Sequence, residues 1–434
     1  PFIDHEHAEE LQVISDILDS DPNITDLVYR DLVRGLKQID TGRQGMTAEQ
    51  VLRVLIIKQM NGFSYAELAF HLADSCSYRT FCRLGVADKA LPRSTLQRNI
   101  KRVRPETLEA INLRLLGYAR EHGIETGRKV RFDCTVTATN IHHPSDSRLL
   151  WDCVRVLTRL VLWGRDLVEV PVTDHRRRAK RRFQGIRNAK SKQARVRLYR
   201  DLLKVSRKTV SMAERMATAL EQSRLAQLTA PDLWVDLQHY LPLTRQVIDQ
   251  TERRVLQGEQ VPATEKIVSI FEAHTDIIVK DRRETLYGHK LCLGSGASGL
   301  VVDCVVVEGN PADSTLAVDM VSRQQGVYGR VPRQVAYDGG FASKANLADI
   351  KELGVKDVAF AKKRGLKVTD MVKSSWVYRR LRDWRAEMEG MISFLKRSFG
   401  LDRCTWRGLA SFRSYVWSSV VTANLLLMAR HVLQ

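Results

Sequence analysis

The chain has 434 residues, enough for two or three folding units, and its 44% apolar and 27% charged content is that of a globular protein. Its 69 Lys and Arg against 50 Asp and Glu leave a net charge of +19, an excess that points to a polyanionic partner, because each cation set against a phosphate releases condensed counterions. No run approaching 18 apolar residues is legible, which argues against a membrane partner, and seven scattered cysteines without ligand spacing argue against a disulfide scaffold or a zinc site.

The opening Pro1–Glu10, rich in acids and histidines, does not read as a secretion signal, which suits a reducing cytoplasm. Residues 1–120 read as helical. Apolar positions recur at helical spacing in Leu11–Leu18, Leu27–Leu36 and Val51–Met60, with Thr47 as an N-cap. Gly62-Phe63 breaks that run, Ser64 caps a helix over Tyr65–Ala73, and Leu91-Pro92-Arg93-Ser94 leads into another over Thr95–Val103. Arg93, Arg98, Lys101 and Arg102, with Arg104 just beyond, make this last segment basic. Short helices ending in a basic one suggest a helix-turn-helix that contacts DNA; a helical bundle with a solvated basic face fits the same spacing.

At Lys129–Ala138 the period changes to two. Val130, Phe132, Cys134 and Val136 share one face, and Arg131, Asp133, Thr135 and Thr137 share the other, as in a strand. From about 145 to 260 helical patterning returns under heavy positive charge. In His175–Lys208, 15 of 34 residues are Lys or Arg and Asp201 is the one acid. Interleaved Phe183, Ile186, Leu198 and Leu202 predict helices with a basic face, and Arg176, Arg177, Arg178, Lys180, Arg181 and Arg182 are its candidates for phosphate-backbone contact.

Strand character resumes over Tyr287–Leu293 and Leu300–Val307 around a glycine-serine turn, reading as a hairpin. Asp313 or Ser314 is placed to cap a helix over Thr315–Ser322. A strand over Arg333–Asp338 ends in Gly339-Gly340, a helix follows over Ser343–Leu353, a short strand over Asp357–Ala361, and a long amphipathic helix over Trp376–Phe399. The pattern predicts an α/β fold: a mixed sheet with flanking helices, interrupted by a basic helical insertion and preceded by an all-helical domain. The expected divisions are 1–120 (helical, DNA-binding), 121–145 (first part of the core), 146–265 (basic insertion) and 266–434 (remainder of the core).

Three acids stand out as possible ligands for divalent cations. Breaking a phosphodiester needs an aligned nucleophile and charge stabilisation on the phosphoryl oxygens, which two Mg²⁺ or Mn²⁺ ions held by carboxylates supply. Asp133 lies mid-strand on the polar face, and Asp338 lies at a strand end before two glycines that permit close approach. Alone, each reads more readily as a capping or strand-end acid, and the case lies in their combination with the last helix. In the long helix, Arg385, Glu389, Ile392 and Lys396 form one stripe beside an apolar stripe of Met388, Met391, Leu395 and Phe399, so Glu389 borders the buried face. Arg385 and Lys396 flank it with charge suited to phosphates, while Glu387 lies about 200° around the helix from it. An ordinary salt-bridged helix surface has the same pattern.

At these residues the chain resembles the DDE transposases of bacterial insertion sequences, specifically the group with an InsH-like N-terminal domain, and among them the ISNCY assemblage. Gly62-Phe-Ser-Tyr-Ala-Glu-Leu, Arg79-Thr-Phe-Cys-Arg-Leu and Pro92-Arg-Ser-Thr-Leu are similar to that N-terminal domain. Phe132-Asp-Cys-Thr-Val is similar to the first-aspartate strand, and Tyr337-Asp-Gly-Gly-Phe-Ala to the second-aspartate motif. Arg385, Glu389 and Lys396 match the spacing of the signature Y-x2-R-x3-E-x6-K, with Asn424-Leu-Leu downstream. Arg382 stands where that signature has tyrosine, and Gly294-Ser295 where relatives often carry an aspartate.

The resemblance implies an RNase-H-like core and a transposase that binds its element's terminal repeats, nicks DNA with metal-activated water and transfers the 3′-OH to target DNA. Asp133, Asp338 and Glu389 would hold two Mg²⁺ or Mn²⁺ ions. It also implies double-stranded DNA as partner, a homodimer or larger assembly on DNA, no membrane, and a bacterial cytoplasmic, nucleoid-associated location. A nuclease of the same fold without strand transfer, or a catalytically silent DNA-binding relative, are the alternatives.

Overall fold

The computed structural model describes residues 5–36, 45–85, 87–280 and 284–434, so the first four residues of the acidic opening lie outside it. The chain divides into two compact units, one formed by 1–138 with 289–434 and the other by 139–288.

The first unit begins with seven helices: α1 (Glu6–Asp19), α2 (Asn23–Val33), α3 (Ala48–Met60), α4 (Tyr65–Asp74), α5 (Cys76–Phe81), α6 (Arg93–Ile100) and α7 (Pro105–Glu121). Thr47 and Ser64 each form a capping box, with Gln50 and Glu67 answering from the third helical position, so both helices start where their capping residues predict. The basic helix α6 starts two residues earlier than its periodicity indicates and stops at Ile100. Pro92 immediately precedes its first turn, and Lys101 and Arg102 fall past its end.

Then comes β1 (Lys129–Ala138), after which the chain leaves for the second unit through α8 (Asp146–Gly164), α9 (Arg176–Asn188), α10 (Lys192–Gln222), α11 (Arg224–Thr229) and α12 (Pro231–Thr251). These helices bury their own core of Leu150, Val154, Leu157, Leu202, Met216 and Leu237. The backbones of α8 and α10 meet at Gly164, where a Cβ would stand 2.5 Å from the Met216 sulfur. The unit closes with β2 (Asp276–Lys280) antiparallel to the first part of β3 (Glu284–Ser295). The sequence reading missed β2: its run of three apolar residues between Asp276 and Lys280 has no alternation to mark it as a strand.

The end of β3 and β4 (Val301–Val306) form an antiparallel pair in the first unit, with a register shift at Gly294/Ser295. A single turn of 3-10 helix over 313–316 leads into α13 (Ala317–Tyr328), followed by β5 (Gln334–Tyr337), α14 (Lys344–Glu352), β6 (Asp357–Phe360), α15 (Val368–Met371), α16 (Ser375–Ser398) and α17 (Leu409–Leu433). The expected cap by Asp313 or Ser314 is absent. Asp313 instead accepts from Lys290 Nζ at 2.9 Å, an ion pair that outcompetes a capping bond.

Strand order is β2-β3-β1-β5-β6, with β4 on β3, and β1, β5 and β6 run parallel. An antiparallel hairpin beside a parallel β1-β5-β6 group makes the mixed sheet that the sequence pattern predicts, in keeping with the RNase-H-like core that the resemblance implies. The α17 helix is long and apolar enough by length and composition to cross a membrane, contrary to the reading that no run approaches that length, yet 72% of its most apolar window is buried within the protein. It packs against α7, α1 and α3 as a core helix, which accounts for its apolar character.

Candidate active site

The parallel register of β1 and β5 builds the site. Lys129 pairs with Gln334 and Phe132 with Tyr337, so the next residues along the two strands are Asp133 and Asp338. Adjacent strands lie about 4.8 Å apart. The Phe132 and Tyr337 rings stack at 5.2 Å on one face of the sheet, and strand alternation sends Asp133 and Asp338 toward the other.

That second face is polar in sequence but not wet. Arg131, Asp133 and Thr137 are all buried, because α16 lies across it and brings Met388, Met391 and Leu395 down as its apolar stripe. Arg385 Nη2 stands 2.5 Å from Asp133 Oδ2 and 3.4 Å from Asp338 Oδ1, while Nη1 stands 3.4 Å from Glu389 Oε1. One guanidinium therefore gathers the three acids, and the two aspartate oxygens that share Nη2 can be no farther apart than those two distances summed.

Burial raises the Asp133 carboxyl to about 6; Arg385 pulls it down, Asp338 pushes it up, and the Cys134 backbone N–H donated to Oδ1 at 2.8 Å lowers it further. The acids differ in access: the side chains of Asp133, Asp338 and Glu389 are 12%, 41% and 75% exposed. Glu387 does not point away from the sheet, as the helical wheel suggests. Its Oε2 accepts from Arg131 Nη1 at 2.8 Å, because α16 crosses β1 and both its flanks meet the strand's polar residues.

The donor set fits hard divalent cations: three carboxylates from two strands and a helix, already balanced around a positive group. Among the described residues no three His, Cys, Asp or Glu side chains stand closely enough to grip one ion as arranged, and Arg385 occupies the point of convergence. Sequence reasoning placed Arg385 on the right stripe but aimed it at phosphates; here it faces the acids. Lys396 is half-buried two turns beyond Glu389 on the same helix.

The remaining nominated cations are dispersed. Arg93, Arg98 and Lys101 are exposed, whereas Arg102 donates to the Arg34 carbonyl at 3.2 Å. On α9, Arg178 and Arg182 both pair with Asp201, and Arg176 pairs with Asp174 at 2.6 Å, leaving Arg177, Lys180 and Arg181 on the exposed face. Sequence reasoning passed over Lys362 entirely. Its alkyl chain lies so close to Gly339 that a Cβ there would meet Lys362 Cβ at 2.7 Å, and its signal was the triple cation Lys362-Lys363-Arg364 at a strand end.

Residues 2–102 match the family of a transposase domain (DUF772), and residues 247–425 match the transposase DDE domain. The second span contains Asp338 and Glu389, while Asp133 lies between the two spans. No curated protein and no solved structure matches the chain. Two transposase domains follow one another along this chain, the second carrying two of the acids gathered by Arg385, and the protein belongs to the DDE transposases of insertion sequences.

Proposed function

We propose that Asp133, Asp338 and Glu389 are the catalytic acids of this transposase, which binds the terminal repeats of its element, cuts the strand there and joins the freed 3′-OH to target DNA. The observation that carries this reading is the side-by-side register of Asp133 and Asp338 with Glu389 drawn to them by one arginine. Mg²⁺ or Mn²⁺ held by these carboxylates would polarise the phosphoryl group and activate the attacking oxygen.

The chain's own residues set the conditions for that chemistry. The floor of Met388, Met391 and Leu395 keeps water from the inner side of the acids, which strengthens every charge interaction at the site. Asp133 is fixed by a backbone N–H and a guanidinium, so it meets an incoming group already oriented. A guanidinium and a divalent cation cannot share one point, so with cations held by the acids Arg385 would be free for a DNA phosphate, with Lys396 further along the helix. The helices of residues 1–120 and the exposed face of α9 hold DNA by its backbone.

The test is strand transfer in vitro with Mg²⁺ or Mn²⁺, using both an intact end and a pre-cleaved 3′-OH end. The chain should cut the first and join both to a plasmid. Asp133→Asn and Asp338→Asn should each lower joining at least 100-fold, an order of magnitude consistent with loss of ion-borne charge stabilisation. Full activity of Asp338→Asn would remove it from the site, and cutting without joining would identify a nuclease.

A further inference from the structure

Between the second and third acids lies a second concentration of charge, outside the segments assigned to DNA from the sequence. Residues 361–382 hold eight Lys or Arg and one acid, Asp370. Its first part, Lys362-Lys363-Arg364, follows directly on β6, which runs parallel to β5, so the three cations emerge at the same end of the sheet as Asp338. All three are exposed. Among the described residues no carboxylate pairs with Lys362 or Arg364, and the Lys363 ammonium sits 5.4 Å from the centre of the Tyr378 ring. Gly339 has no side chain, and the stem of Lys362 fills that space, which packs Lys362 against the residue that follows the second acid. Arg364 adopts a φ of 44°, a left-handed conformation that costs a non-glycine residue about 1 kcal/mol and that gathers at functional sites.

The helix adds a fourth cation. Tyr378, Arg382, Arg385 and Glu389 follow one another at i, i+4, i+7 and i+11, a single stripe on α16. Tyr378 anchors the start of the stripe by donating its hydroxyl to the Phe360 carbonyl at 2.8 Å, at the end of β6, and Arg385 and Glu389 lie at the acids. Arg382 falls between these fixed points and is exposed, and among the described residues its one carboxylate partner is the neighbouring, still more exposed Asp383 at 3.1 Å. Such surface pairs contribute little and give way readily to a phosphate.

We propose that Lys362, Lys363, Arg364 and Arg382 form a phosphate-binding ledge that holds the DNA strand immediately beside the bond being cut. The ligand is the phosphodiester backbone of duplex DNA at the element boundary. The ledge carries no base-reading geometry; its function is to fix the register of the strand over Asp338. This rests on the three acids being the cutting centre.

The experiment places p-benzoylphenylalanine at Lys362, and separately at Arg382, in the full chain carrying Asp133→Asn, bound to a duplex that joins a terminal repeat to flanking DNA. Photo-adducts should fall within about three nucleotides of the element boundary, the reach of a long side chain at ~3.4 Å per step. Adducts spread along the repeat, or none from either position while the duplex stays bound, overturn the ledge. In parallel, Lys362→Gln/Arg364→Gln/Arg382→Gln should flatten the slope of log K against log salt by about 2.7, roughly 0.9 for each phosphate contact. An unchanged slope in a variant that melts like the parent also overturns it. If adducts and slope behave as expected but the parent chain cuts no DNA with any divalent cation, the ledge stands and the assignment of the acids falls.

Discussion

Arg385 is 11% exposed and answers three carboxylates, so its removal leaves a local excess of negative charge, most of it felt at buried Asp133. Breaking a buried pair by removing one partner destabilises a protein, and here the exposure of Asp338 and Glu389 screens their share. Arg385→Gln should therefore lower stability by about 1–3 kcal/mol, within the range expected for a broken buried charge network. Because the three acids then repel without a counter-charge, Mn²⁺ should raise the melting temperature of the variant more than that of the parent, as scanning calorimetry would record. Equal shifts would mean that the acids do not gather cations.

A second residue gives a pH dependence. Lys58 is buried between the Tyr65 and Trp406 rings, 5.0 and 5.9 Å from Nζ, and burial pulls its ammonium down to about 8 from the ordinary 10.5. An unfolded chain keeps that proton to higher pH. Below pH 8 the folded state carries the full cost of a buried charge, and the cost is shed as pH rises from 8 toward 10.5. Lys58→Met keeps the packing volume without the charge. It should stabilise the protein at pH 7 by up to about 3 kcal/mol, the linkage equivalent of that shift, with the advantage gone near pH 10.5 in urea unfolding curves. A gain independent of pH would assign it to packing alone.

Among the elements, α17 shows how one helix joins the N-terminal helices to the sheet. Its Asn424 is fully buried, accepts from Val301 N and donates to Val301 O, both at 2.8 Å, and reaches Asn112 Oδ1 on α7 at 2.8 Å. Asn424→Ala would strand a backbone N–H, a carbonyl and an amide together, at a cost of about 2–4 kcal/mol. Chemical denaturation should read this as an earlier midpoint with an unchanged slope.

The same elements mark what the sequence can carry. The faces of β1, the caps at Thr47 and Ser64 and the apolar stripe of α16 were legible, because each is set by neighbours within a few residues. The pairing of β1 with β5 was not, since a whole helical unit separates the two strands along the chain and no local pattern encodes which pairs of residues meet. For the same reason Glu387 looked averted and Arg385 looked outward. A helical wheel gives angles about one axis, and only the crossing of α16 over β1 decides what lies beneath each side.

At the scale of the molecule the charge of +19 is unevenly spent. Part of it is internal: Arg178 and Arg182 close on Asp201, and Arg104 closes on Asp31 at 2.8 Å. Such pairs hold helices together and release no counterions from DNA. Apart from Arg187, which lies over the Phe183 ring, what remains on α9 is Arg177, Lys180 and Arg181, exposed opposite the buried Ala179, Phe183 and Ile186. Contacts of that kind bind the backbone of any duplex, so Arg177→Gln/Lys180→Gln/Arg181→Gln should weaken binding equally for terminal-repeat and unrelated DNA. The slope of log K against log salt should fall by up to about 2.7, at roughly 0.9 per phosphate. Competition binding at several salt concentrations separates the two surfaces: loss on α9 leaves the ratio of repeat to unrelated DNA unchanged and the cut position fixed. A variant that keeps its affinity but shifts the cut would instead make α9 part of the reading of the element's end, and would move the register of the DNA from the ledge beside Asp338 to the helical unit.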